Sequence, residues 1–219
     1  MVRIYFVIMF ITVMLSFGCS EDRDTQPLNN EEAVETKKIV AAGDSLTAGY
    51  GVAQSENFPH RLGEKLKENG FNYTVINAGV SGETSSGALS RIKWILSRKP
   101  DIVILETGAN DGRRGIPVPV IRENLSRAVQ MLHEADVTVV LAGMQIVQNL
   151  GQEYTSEFAD IYPAVAGEQK CILIPFFLQD VAGEPLLNQA DTIHPNEEGH
   201  KILSETVYPF IVQAIQNFP

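Results

Sequence analysis

From residue 38 onward, apolar runs of strand length alternate with stretches whose apolar residues recur at helical spacing. The runs are 39–42, 73–78, 102–107, 137–142 and 171–174. Short apolar runs bounded by turn residues fit strands with both faces buried. Between the first two, Leu62 and Leu66 share a helix face, with Pro59 in a first turn and Asn69-Gly70 closing the segment. Leu89, Ile92, Ile95 and Leu96 continue a second apolar stripe as far as Lys99-Pro100. Further helices are expected over 120–135, 154–168 and 197–217. Five strands separated by helices predict a single α/β domain, one parallel sheet with helices on both faces.

The first 18 residues break this pattern. Arg3 is their only charge, and 4–17 is apolar except for Thr12 and Ser16. That is the charge and length of a secretory signal, short for a membrane span. Gly18-Cys19 ends the run and resembles the lipobox of bacterial lipoproteins, although Ser16 stands where leucine is usual and Leu15 lies one place further back. The resemblance implies export, removal of residues 1–18 and a lipid on Cys19 that anchors a periplasmic or cell-envelope protein to a membrane. Plain signal cleavage to a soluble periplasmic protein, or an uncleaved anchor, is the alternative. Residues 19–37 are polar and acidic and fit a disordered tether, so the domain is expected over 38–219.

Composition narrows the classes further. With 219 residues, 44% of them hydrophobic, the chain can bury one substantial core. Its two cysteines, Cys19 and Cys171, do not make a disulfide framework, and Cys171 is expected as a buried strand residue. A formal net charge of −10 leaves no electrostatic basis for a nucleic-acid partner.

Candidate chemistry lies in four segments. Gly43-Asp44-Ser45-Leu46 follows the first strand, Asn77-Ala78-Gly79-Val80-Ser81-Gly82 ends and follows the second, and Gly108-Ala109-Asn110-Asp111-Gly112 follows the third. Asp191-Thr192-Ile193-His194-Pro195 lies between the fifth strand and the last helix. Ligands of open parallel sheets bind beyond the carboxyl ends of the strands. Each segment alone fits an ordinary turn. Together they supply what acyl transfer needs: Ser45 as nucleophile, His194 as base, and Asp191 to hold the imidazole. The Gly79 amide and the Asn110 side chain are candidate donors to the oxyanion. Asp111 is expected to fix the Asn110 loop, Pro195 to open the last helix, and His60 and His133 to be structural. His194 and His200 lack the further ligands a metal site requires.

The four segments resemble the blocks of the SGNH hydrolases, also called the GDSL family, with Ser45, Gly79, Asn110 and His194 at the lettered positions. The stretch from about Lys38 to Phe218 is similar to the branch of thioesterase I, lysophospholipase L1 and arylesterase. Ala48-Gly49-Tyr50-Gly51, residues 77–84, residues 108–112 and Ile174-Pro175-Phe176-Phe177 carry that likeness. The resemblance implies a flavodoxin-like three-layer α/β/α sandwich around a five-stranded parallel sheet. It implies a Ser45-His194-Asp191 triad and an oxyanion hole made by the backbone amides of Ser45 and Gly79 and the side chain of Asn110. No cofactor and no metal are expected.

The implied activity is that of a serine hydrolase cleaving carboxylic ester or thioester bonds of small acyl or aryl substrates through an acyl-enzyme on Ser45. Ile116 and Pro117, after the Asn110 loop, and Met144 and Ile146, after the fourth strand, are expected to border the cleft and hold an acyl chain. A monomer is the expected state. Two other functions fit the same segments: a carbohydrate O-acetyl esterase of the same superfamily, and an inert lipid-anchored binding protein that kept the fold.

Overall fold

The apolar runs form five parallel strands: β1 (Lys37–Gly43), β2 (Tyr73–Gly79), β3 (Ile102–Glu106), β4 (Thr138–Ala142) and β5 (Ile172–Ile174). The computed structural model describes residues 36–146 and 150–217. The expected signal segment, Cys19 and the expected tether up to residue 35 lie outside the described residues; β1 begins one residue earlier than the predicted domain boundary.

The strands pair in the order β2-β1-β3-β4-β5, the flavodoxin-like order. Ile39 of β1 lies opposite Val75 of β2 on one side and Ile102 of β3 on the other. The chain therefore leaves β1 toward one edge and returns at β3 to build toward the other. Crossovers of opposite direction diverge between those two strands, which opens a crevice at their carboxyl ends. Ser45 leaves β1 there, and Asn110 leaves β3 there.

Eight described helices surround the sheet: α1 (Ser45–Ala48), α2 (Phe58–Glu68), α3 (Ser85–Ser90), α4 (Ile92–Leu96), α5 (Ala109–Arg113), α6 (Val118–His133), α7 (Gln152–Gln169) and α8 (Glu197–Gln216). Right-handed crossovers place α2 on one face, where α8 packs against it, and the α3, α4, α6 and α7 group on the other. The central strands are covered from both sides: 39–42 of β1 and 102–105 of β3 are fully buried. That is why these runs are continuously apolar rather than alternating. Phe58, Leu62 and Leu66 of α2 and Leu203, Val207 and Ile211 of α8 are fully buried as well, each contributing about 1.5–3 kcal/mol of transfer free energy.

Two elements differ from expectation. The stripe 89–96 is two helices rather than one, parted at Arg91 (φ −105°, ψ 9°). The Arg91 guanidinium donates to both oxygens of the Glu83 carboxylate at 2.5 and 2.7 Å and to the Gly43 carbonyl at 3.3 Å, drawing the chain out of helical register toward β1. Cys171 is half-buried just before β5 rather than within it. Burial pushes its thiol up to about 11, so it stays a thiol at neutral pH.

Candidate active site

The nucleophile turn follows from local capping. Asp44 sits between β1 and α1, and its Oδ1 accepts the Leu46 N–H at 2.9 Å, capping a helix whose first residue is Ser45. The Ser45 N–H has no acceptor among the described residues and is free to meet a ligand. The turn packs tightly against the end of β2: a Cβ on Gly79 would lie 2.1 Å from the Ala48 nitrogen, so only glycine fits there.

His194 reaches Ser45 from the loop between β5 and α8. Its Nε2 lies 2.9 Å from Ser45 Oγ, and its Nδ1 lies 2.6 Å from Asp191 Oδ2. Asp191 Oδ1 accepts the backbone N–H groups of Ile193 and His194, both at 3.0 Å. Thr192 closes that turn with φ +63°, an uncommon conformation for a β-branched residue and a local strain at the site. The His194 N–H, its imidazole and the Ile193 N–H hold the Asp191 carboxyl well below the usual carboxylate range. The carboxylate is therefore ionised, which stabilises the tautomer with the proton on Nδ1 and leaves the Nε2 lone pair facing Ser45.

Two further residues hold the loop. The Tyr50 ring lies 4.7 Å from the His194 ring, tilted by 43°. Gln189 donates its N–H to the His194 carbonyl at 2.8 Å and its side-chain amide to the carbonyls of Tyr50 and Pro195 at 2.6 and 2.9 Å. Pro195 bridges antiparallel to Asn188 instead of opening α8. Asn196 caps that helix, its Oδ1 accepting the Gly199 N–H at 3.1 Å, a better N-cap than proline provides.

The oxyanion donors differ at rest. Asn110 Nδ2 donates to Asp44 Oδ2 at 2.9 Å and to the Glu83 carbonyl at 3.0 Å. The Gly79 N–H donates to Asn77 Oδ1 at 2.9 Å, and Asn77 Nδ2 to the Thr47 carbonyl at 2.9 Å. Only the Ser45 amide is uncommitted, so the other two would take an oxyanion as an additional acceptor. Asp111 fixes the loop as expected, accepting the Ser85 N–H at 2.7 Å and its hydroxyl at 2.6 Å.

A nucleophile turn after β1, a glycine at the end of β2, an asparagine after β3 and an Asp-x-x-His loop before the last helix follow one another in chain order. The sequence from 41 to 202 matches the GDSL-like Lipase/Acylhydrolase family. The chain belongs to that family. An arylesterase of Vibrio mimicus is 37% identical over 181 residues, 82% of this chain and 90% of that protein. The thioesterase 1/protease 1/lysophospholipase L1 of Escherichia coli is 32% identical over 174 residues, 79% of this chain and 82% of that one. The crystal structure of the psychrotrophic esterase EstA from Pseudoalteromonas sp. superposes with a TM-score of 0.79 at 34% identity, covering 83% of this chain and all of that one. This GDSL hydrolase is a serine esterase, a hydrolase of ester bonds.

Beside the nucleophile of the GDSL hydrolase runs a cleft of about 650 Å³. Ser45 and Asn110 form one end, and Met144, Ile146, Phe176 and Leu178 give it an apolar wall. Met144 and Ile146 thus stand where the sequence placed them, whereas Ile116 and Pro117 do not line it. Ile116 packs on the core, its carbonyl taking the Tyr154 hydroxyl at 2.6 Å, and Pro117 leads into α6. Arg113 lines the cleft instead, and its side chain makes no hydrogen bond or ion pair with the described residues.

The remaining histidines stand apart from the cleft. His60 lies 3.6 Å from Glu64 on α2, and His133 borders a separate hollow with Cys171 at the amino ends of β4 and β5. Sequence reasoning missed Gln189 and Glu106. Only Glu106 left a signal, a carboxylate inside an otherwise apolar run.

Proposed function

We propose that this esterase transfers the acyl group of carboxylic esters and thioesters to Ser45 and then to water. The observation that carries this reading is the continuous hydrogen-bonded chain from Ser45 Oγ through His194 to Asp191, with links of 2.9 and 2.6 Å. His194 Nε2 takes the hydroxyl proton as Ser45 Oγ attacks the carbonyl carbon. The Ser45 N–H, with Asn110 and Gly79, receives the developing oxyanion. The imidazolium, held by Asp191, returns its proton to the leaving group, and the same steps in reverse order let water release the acid. Asp191 stays ionised in mild acid, so it continues to hold the His194 ring in place there.

The apolar wall supports acyl chains of medium length, and the names of the relatives, arylesterase and thioesterase, support aryl esters and thioesters as leaving-group classes. The test is hydrolysis of 4-nitrophenyl esters from acetate to palmitate by the full chain. A maximum at medium chains is expected, abolished by Ser45→Ala and shifted toward acetate by Ile146→Asp. Activity confined to acetate would favour the carbohydrate deacetylase instead, and activity surviving Ser45→Ala would refute the acyl-enzyme.

The same reading makes the protein an exported lipoprotein held at a membrane by Cys19, supported by the apolar segment 4–17, Gly18-Cys19 and the polar stretch that follows. Mass spectrometry of the cell-derived amino terminus should find diacylglyceryl Cys19. A free terminus at Ser20 or later would contradict it.

A further inference from the structure

Directly beneath the nucleophile turn lies a carboxyl group that the triad mechanism does not use. Glu106, the last residue of β3, is fully buried, and its Oε2 accepts the Asp44 N–H at 3.1 Å and the Thr47 hydroxyl at 2.8 Å. These two partners stand on either side of Ser45, so one side chain grips the turn before and after the nucleophile. The approach is close enough that a Cβ on Gly43 would lie 2.5 Å from Glu106 Oε2 and 2.6 Å from its carbonyl oxygen. The Asp44 carboxyl, itself buried, links this grip to the oxyanion donors: Oδ1 takes the Leu46 N–H, and Oδ2 takes Asn110 Nδ2.

We infer that Glu106 is a positioning residue of this esterase, acting through Asp44. It holds the Asp44 backbone N–H and the Thr47 hydroxyl on either side of Ser45, and the Asp44 carboxylate carried by that backbone holds the Asn110 amide. The inference deepens the acyl-enzyme reading and rests on it. An ionised pair of buried carboxylates in contact would repel, so the arrangement requires a proton on one of them. Burial and the Asp44 charge push the Glu106 carboxyl well above the usual carboxylate range, and its Oε2 holds the Asp44 backbone N–H. Glu106 is thus the member that keeps the proton, while the Asp44 carboxylate, which accepts the Leu46 N–H and Asn110 Nδ2, carries the charge. Its Oε1, buried and without a hydrogen-bond partner among the described residues, is the oxygen open to carry that proton.

The distinction from ordinary core packing is kinetic. A group that only stabilises the fold changes the amount of folded enzyme, whereas one that places the nucleophile and an oxyanion donor changes turnover per folded active site, and misplacement by about 1 Å can cost about a hundredfold. The test compares Glu106→Gln, Glu106→Asp and Glu106→Leu in the full chain. kcat is normalised to active sites titrated with an organophosphorus ester, and melting is followed by circular dichroism.

Glu106→Gln, which keeps a neutral donor and acceptor in place, should retain kcat within about threefold. Glu106→Asp, which withdraws the carboxyl by one methylene, and Glu106→Leu should lose about tenfold to a hundredfold in kcat with KM little changed. If the Leu variant does not fold, the Asp variant carries the comparison. In addition, Asp44→Asn/Glu106→Asp should lose less than the product of the two single losses, because both act on one turn. Wild-type kcat per active site in Glu106→Asp, a loss in Glu106→Gln equal to that in Glu106→Asp, or losses that multiply in the double variant would each overturn the inference. Failure of the acyl-enzyme reading itself would appear separately, as turnover by Ser45→Ala.

Discussion

Asn110 is the one oxyanion donor supplied by a side chain, and both of its amide hydrogens are engaged at rest by Asp44 and the Glu83 carbonyl. That fixes its direction before substrate arrives, the preorganisation that makes such donors effective. Replacing it with alanine removes a donor used in the transition state, so Asn110→Ala should lower kcat by about 10²–10³, about 2.7–4 kcal/mol of barrier, with KM changed only a few-fold. Steady-state kinetics on one medium-chain ester checks this, and an equal loss expressed in KM would point to ground-state binding. Ser45, His194, Asp191 and Asn110 were legible in the sequence because four segments, each an ordinary turn alone, together supply a nucleophile, a base with its carboxylate and an oxyanion donor. Glu106 was not, because its function depends on which turn the end of β3 packs beneath, and that is fixed only by the pairing of β1 with β3.

At the scale of elements, the contact between α2 and α8 contains a titrating group. His200 of α8 is 1% exposed, and its Nδ1 accepts the Phe58 N–H at the start of α2 at 3.3 Å, a bond only the neutral ring can accept. Burial, with smaller contributions from Arg61 and His194, lowers its pKa to about 4. The folded value lies below that of the unfolded chain, about 6.5, so on acidification the unfolded state takes up the proton first. Stability is therefore intact above about pH 6.5 and is lost as pH falls toward about 4, by up to about 3 kcal/mol. Urea midpoints at pH 7 and pH 4.5 should separate by less in His200→Gln, which keeps an acceptor without the titration; equal separations in the two proteins would contradict this. The boundaries the sequence missed have physical reasons of the same kind. Arg91 leaves helical register to reach Glu83, and Asn196 outcompetes Pro195 as a cap.

For the molecule as a whole, the parallel α/β class was legible from five apolar runs alternating with amphipathic stretches. The order β2-β1-β3-β4-β5 was not, because β1, β3 and β4 are buried on both faces and their runs are alike to a neighbour. Order nevertheless decides function here. It places the turn after β1 beside the turn after β3, so that Ser45 and Asn110 line one cleft although they stand 65 positions apart in the chain. The loop after β5 then crosses back to bring His194 within 2.9 Å of Ser45. All of this implies a covalent intermediate on one hydroxyl. The direct measurement is rapid acid quench of the full chain with 4-nitrophenyl octanoate, followed by intact-mass and peptide mass spectrometry. A transient octanoyl adduct confined to Ser45 and lost on further incubation is the expected result. An adduct on another residue, or turnover continuing undiminished in Ser45→Ala, would contradict the account.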